Sequence, residues 1–352
     1  MTKPRSRWTW LLTLMLTLAT GALLAPTAGP TAAAADRTPR TTGQGDRLAD
    51  AFRPTKCLKA GKNPRSGMLS NGCRYTARGI PTKGVYVGAA HGSNSDPTRL
   101  ERSIGSRLGV RRTYFTADQV RSAVRTARQD LRKNRLPWVS FKLPHSWSAM
   151  ASGAGDRWAR NLSKRLKKLR GPVWVAFHHE PEGDGNLQDW RRMQERLIPI
   201  VRKTAPNVAF TIVVTGWHQF YGDDEYSLRQ IWPRRGHVDV AGFDVYQQYG
   251  VVKDGRSTTS WTDFSEYFRQ IARWARSKDV AWGLAETGVT GTAADARPDI
   301  IPNTVKLMKR HGGVAYSYFD TTLNSVADWT LRAGPKRDGF ARAADRAPRM
   351  RG

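Results

Sequence analysis

Two glutamates stand where apolar runs end. Val173–His178 leads into His179-Glu180-Pro181-Glu182-Gly183, and Val280–Ala285 into Glu286-Thr287-Gly288. A carboxylate closing a buried apolar strand is costly unless it is paired or used. Two facing carboxyls can divide the work of cutting an acetal. One protonates the leaving oxygen, and the other attacks the anomeric carbon or activates water on the opposite face. Glu182 competes for the first position but lies past Pro181, further into the loop. The plain alternative for each glutamate is a buried ion pair, since the chain holds 58 lysines and arginines against 29 acids.

The elements that must position these groups follow from periodicity. Eight short runs, mostly β-branched or aromatic, read as strands: Val85–Ala89, Val110–Phe115, Trp138–Leu143, Val173–His178, Val208–Thr215, Val238–Val245, Val280–Ala285 and Val314–Phe319. Several are apolar on both faces, as strands covered by helices must be. Helical spacing lies between them: Val120, Val124, Ala127 and Leu131; Trp158, Leu162, Leu166 and Leu169; Trp190, Met193, Leu197 and Ile200; Phe264, Phe268, Ile271 and Trp274. Strand–helix alternation with right-handed crossovers gives a parallel α/β sheet. Eight such units over roughly 270 residues predict closure into a (β/α)8 TIM barrel. The alternative, an open doubly wound sheet, lacks its glycine-rich phosphate loop, because the first strand reads GVYVGAAHGSN. In a barrel, chemistry sits where strands end, and strands four and seven face each other across the mouth.

These motifs in this order resemble clan A glycoside hydrolases, which place an acid/base Glu after strand four and a nucleophilic Glu after strand seven. The pair His179-Glu180 is similar to family 26, the mannanase-type group. So is Gly242-Phe243-Asp244-Val245-Tyr246, matching a strand-six segment whose Tyr hydrogen-bonds the nucleophile. The resemblance covers Gly84 to about Ala344. It implies Glu180 as general acid/base with a raised pKa, Glu286 as nucleophile, and His179 and Tyr246 beside them. It also implies a retaining endo-β-glycosidase acting on an extracellular or cell-wall polysaccharide, mannan-like or acidic. The chain departs from the family after Glu180, where Pro181-Glu182-Gly183-Asp184-Gly185-Asn186 replaces Asn-Gly and aromatic neighbours. Strand eight, Tyr316-Ser317-Tyr318-Phe319-Asp320, has no Trp to floor a sugar, so Tyr318 is the candidate substitute.

Other strand ends offer sugar contacts: His91 after strand one, His145 and Trp147 after strand three, and Trp217, His218 and Tyr221 after strand five. Flat aromatic faces stack on pyranose C–H surfaces. Each such residue could instead pack on a helix. Seven histidines without clustered spacing predict no metal and no cofactor.

The ends suggest export. Lys3, Arg5 and Arg7 precede an apolar run from Trp8 to Leu24, and Ala32–Ala35 offers small residues for cleavage, so residues 1–35 read as a signal peptide. Residues 36–82 read as a Gly- and Pro-rich arm, and 83–352 as the catalytic domain. Outside the cytosol, Cys57 and Cys73 are expected to form a disulfide worth ~3 kcal/mol for a loop of this size. Residues 1–35 hold three basic residues and no acid, so removing them leaves +26 of the +29 formal charge. That balance predicts attraction to polyanions and retention at a cell wall by charge. No dedicated nucleic-acid site is expected, because aromatics do not interleave with the basic runs. After cleavage no membrane association is expected, and the chain is expected to be a monomer. The rival function is a non-catalytic barrel that binds anionic cell-wall glycan.

Overall fold

The computed structural model describes Cys57 and residues 67–351 apart from Asn324. The expected signal peptide and most of the arm lie outside the described residues. The centre is a closed barrel of eight parallel strands: β1 (Tyr86–His91), β2 (Val110–Phe115), β3 (Leu136–Phe141), β4 (Val173–Phe177), β5 (Val208–Val214), β6 (Val240–Asp244), β7 (Ala281–Thr287) and β8 (Ala315–Asp320). Each strand pairs with its sequence neighbours, and β8 closes on β1 from Ala315↔Tyr86 to Asp320↔His91. The protein is a (β/α)8 barrel, and every expected strand is present with its ends moved by at most two residues.

Side-chain alternation sorts the strands into two cores. Outward residues such as Val173, Val175 and Phe177 of β4 pack under the helices. The helix Leu187–Thr204 answers them with Trp190, Met193, Leu197 and Val201, spaced at three and four. Its start is fixed by Asn186, whose side chain accepts from the amides of Gln188 and Asp189, a cap worth ~1 kcal/mol. Inward residues form a separate core from Tyr86, Val110, Leu136, Trp138, Trp174 and Val240. Trp138 donates to Thr211 Oγ1 across this interior at 3.0 Å. Gly242 is needed beside it, since a Cβ there would lie 2.9 Å from the Trp138 ring.

Residues 67–82, read from sequence as part of an arm, close the strand-start end of the barrel. A short hairpin pairs Gly67–Met68 with Arg74–Tyr75, and its Leu69, Cys73 and Tyr75 join the inner core. Trp174 Nε1 donates to the Arg78 carbonyl at 2.8 Å, and Arg78 Nε to the Val208 carbonyl at 3.2 Å. A disulfide joins Cys57 and Cys73, with Cα atoms 5.5 Å apart. Among the described residues, no helix is long and apolar enough to cross a membrane.

Candidate active site

The site stands at the strand-end rim, and register builds it. Glu286 on β7 lies opposite Asp244 on β6, after a register shift between Leu284 and Glu286. Strict alternation would give Ala285 and Glu286 opposite faces. The irregularity lets the carboxylate turn inward beside Ala285, which belongs to the inner core. On β2, Val110, Arg112 and Tyr114 share the inward face by the two-residue period. At the end of β4 the chain turns through positive φ at His178 (54°) and Glu180 (48°), and the Glu180 amide donates to the Val213 carbonyl at 2.9 Å. Non-glycine residues in this region carry local strain, tolerated here where the turn delivers Glu180 to the rim.

Two hydroxyl donors and a guanidinium converge on Glu286. Tyr114 Oη donates to its Oε1 at 2.7 Å and Tyr246 Oη to its Oε2 at 3.0 Å. Arg112 Nη2 lies 3.9 Å from Oε1. The Arg112 side chain is fully buried, gives Nη1 to Ser140 Oγ at 2.7 Å and lies over the Tyr114 and Trp138 rings. Burial raises the Glu286 pKa, and Arg112, Tyr114 and Tyr246 oppose that rise. Glu180 has no such set of donors. Burial, then the charges of Glu286 and Glu182, push its pKa up to about 8. Asp244 is 4 % exposed, and neither carboxylate oxygen accepts a bond from any N–H or hydroxyl. Its partner is the Glu180 carboxyl, and a bond between two carboxyls requires a proton on one of them. Burial and the charges of Glu286 and Glu180 push the Asp244 pKa well up. Hydrogen-bond donors thus gather on Glu286, while burial and like charge favour the protonated forms of Glu180 and Asp244.

The other residues singled out from the sequence divide. His179 packs its ring 5.3 Å from that of Tyr114. Burial and nearby Arg112 drive its pKa far down, so it is neutral beside the carboxyls. Tyr246 touches Glu286 directly, and its ring is backed by Trp329 at 5.0 Å. His91 Nδ1 meets Asp320 Oδ2 at 2.5 Å at the paired ends of β1 and β8. Trp217 is 53 % exposed and Tyr221 46 %, the open aromatic faces on the β5 side of the rim. His145 is exposed. Trp147 is 8 % exposed and sets its edge against His178 at 4.7 Å, so it props the β4 loop from below.

Tyr318 is a correction. It is fully buried, its hydroxyl bonds the Val289 backbone at 3.2 Å, and its ring faces Phe340. Alternation sends Tyr316 and Tyr318 outward and Phe319 toward Tyr246, so Tyr318 cannot floor the site. Glu182 is held by the Thr215 amide at 3.2 Å and Gln219 Nε2 at 2.5 Å. Its charge is among those that push the Glu180 pKa up. Sequence reading missed Arg112, Tyr114 and Asp244. Their signal was present as polar residues inside runs otherwise fit for burial, in VRRTYF and GFDVY. Among the described residues, no group of acids, histidines and cysteines could hold a metal.

With this geometry in place, similarity to known proteins decides the family. The model of the cellulase family, glycosyl hydrolase family 5, matches residues 144–325, just over half of the chain. The chain belongs to glycosyl hydrolase family 5. It is a clan A glycoside hydrolase, as the strand-four and strand-seven motifs implied, and family 5 is the matching family within that clan. No curated protein sequence matches the chain. Solved structures share the (β/α)8 barrel at low identity. The cellulose synthase subunit Z of Clostridioides difficile is 14 % identical with a TM-score of 0.54, covering 74 % of this chain and 99 % of its own. Thermotoga maritima Cel5A, solved with cellobiose, is 11 % identical with a TM-score of 0.54, covering 74 % and 96 %. A family 26 β-mannanase of Bacteroides ovatus is 14 % identical with a TM-score of 0.49, covering 75 % and 89 %. At these identities the likeness to the first two speaks for the fold alone.

Proposed function

We propose that this family 5 enzyme is a secreted, retaining endo-β-glycosidase that hydrolyses an extracellular or cell-wall polysaccharide by double displacement. The observation that carries the proposal is the unequal treatment of two carboxyls at one rim. Glu286 is given two tyrosine hydroxyls and an arginine, which suits an ionised nucleophile. Glu180 is given burial and like charges, which suits an acid that keeps its proton at neutral pH.

In the first step the Glu286 carboxylate attacks the anomeric carbon while Glu180 passes its proton to the leaving oxygen. In the second, Glu180 as carboxylate takes a proton from water, which displaces Glu286. Arg112 supports the charge that Glu286 carries before attack and regains afterwards. The neutral His179 and the Tyr246 hydroxyl border the space where the sugar ring would lie. Trp217 and Tyr221 offer stacking surfaces beyond it. Secretion rests on residues 1–35, and retention at a wall rests on the +26 charge.

Thermotoga maritima Cel5A has been solved with both cellobiose and mannotriose, so gluco- and manno-configured β-glycans are the first substrates to try. The test is a reducing-sugar screen of cellulose- and mannan-derived polymers and a uronic-acid polymer at two salt concentrations, with Glu286→Ala protein as the blank. Cleavage of at least one polymer above the blank is expected. Binding without any cleavage across the screen would reduce the site to a lectin.

A further inference from the structure

At the end of the barrel opposite the carboxyls, a second feature has no part in this chemistry. The helix Thr98–Ile104, Lys133 just past the helix Val120–Arg132, and the C-terminal segment line an open concavity of about 520 Å³. Gly105, Ser106 and Arg107 in its wall lead into the start of β2, and Lys133 leads into the start of β3. Its charged lining is Arg102, Arg107, Lys133, Arg349, Glu101 and Asp345.

Most local compensation is already committed. Glu101 is spent on Arg135 at 2.5 Å and on the Leu108 amide at 2.9 Å. Lys133 is spent on Asp96 at 3.0 Å and Thr98 at 2.7 Å. Arg102 and Arg107 are exposed, and their guanidinium groups meet no partner among the described residues. Arg349 reaches Ser106 Oγ at 3.5 Å. Arg102, Arg107 and Arg349 therefore line one concavity, with Asp345 also on its wall.

We propose that this cavity is an anion site that takes a phosphate group. Guanidinium forks bind oxyanions through paired N–H donors. One fork satisfies a planar carboxylate, whereas three forks from separate elements suit an anion with more oxygens. The volume leaves room for the groups on either side of a phosphate in a polymer. A phosphate-bearing polymer held here leaves the catalytic rim open, so the site works independently of the reading of Glu180 and Glu286.

The test titrates the full chain with inorganic phosphate, polyphosphate and polygalacturonate by calorimetry at low salt. It compares wild type with an Arg102→Glu/Arg107→Glu variant and with a control of equal charge change, Arg121→Glu/Arg128→Glu, on the exposed face of the helix Val120–Arg132. Losing two charge-assisted contacts is expected to weaken phosphate and polyphosphate binding by about tenfold or more in the first variant, with a far smaller loss in the control. Glycan hydrolysis stays unchanged in both, which also shows that both fold. Tighter binding of polyphosphate than of inorganic phosphate would name the polymer as the source. Equal losses in the two variants, or none, would overturn the site. Polygalacturonate bound as tightly as polyphosphate, with the same loss, would overturn the phosphate assignment.

Discussion

Replacing Glu180 by Gln should destroy activity and stabilise the fold, and the gain should depend on pH in one direction. The carboxyl is raised from 4.5 to about 8. A group whose folded pKa lies above its unfolded value leaves stability intact below the unfolded value. It then lowers stability progressively as pH rises, until the folded value is passed. The penalty therefore grows between pH 4.5 and about 8. Taken alone the full shift is worth about 4–5 kcal/mol. Because Glu180, Asp244 and Glu286 titrate together, removing one member is expected to recover about 1–3 kcal/mol at pH 7. The Gln amide also gives Asp244 a neutral donor that does not depend on pH. In a domain of this size that corresponds to a rise in melting temperature of about 2–4 °C per kcal/mol. The assay is thermal denaturation of wild type and Glu180→Gln at pH 4.5, 6, 7 and 8. A gain that is near zero at pH 4.5 and widens to pH 8 is expected. A variant that is destabilised at pH 7, or stabilised equally at every pH, would refute the reasoning.

Tyr114→Phe removes the 2.7 Å donor to Glu286 and leaves the ring's packing in place. A loss in kcat/KM of about 10- to 100-fold is expected, with the acid limb of the pH–rate profile moved upward because the carboxylate is less supported. In the wild type, the alkaline limb should fall near pH 8 as Glu180 loses its proton, read from initial rates on a soluble oligosaccharide. Reducing the Cys57–Cys73 disulfide, which spans 16 positions, should cost about 2–3 kcal/mol by denaturant melts while leaving the rim chemistry unchanged.

Much of the fold was legible because helices and strands here obey their periods. The strand candidates fell in place since buried parallel strands are apolar on both faces, and the helix repeats matched the residues that cover them. The two glutamates were legible because a carboxylate at the end of an apolar run is rare and expensive. What was hidden depends on inside against outside. In VRRTYF the period says that Arg112 and Tyr114 share a face, but not that the face is inward. On β8 the same ambiguity made Tyr318 look available, when parity assigns Phe319 to the rim side. Asp244 ends an apolar run as Glu286 does, but its place beside Glu180 is set by barrel closure and not by local sequence. Residues 67–82 looked like an arm because the side chains that seal the inner core, Leu69 and Tyr75, are too few to show a period.

The central claim is that Glu180 and Glu286 act on opposite faces of one sugar. Azide rescue tests it most directly. An aryl β-glycoside is offered to Glu180→Ala and Glu286→Ala in sodium azide, and the anomer of the glycosyl azide is read by proton NMR. The account predicts the β-azide from Glu180→Ala, where azide displaces Glu286 from the covalent intermediate, and the α-azide from Glu286→Ala, where azide attacks in its place. The same anomer from both variants, or hydrolysis at the wild-type rate by either one, would contradict it.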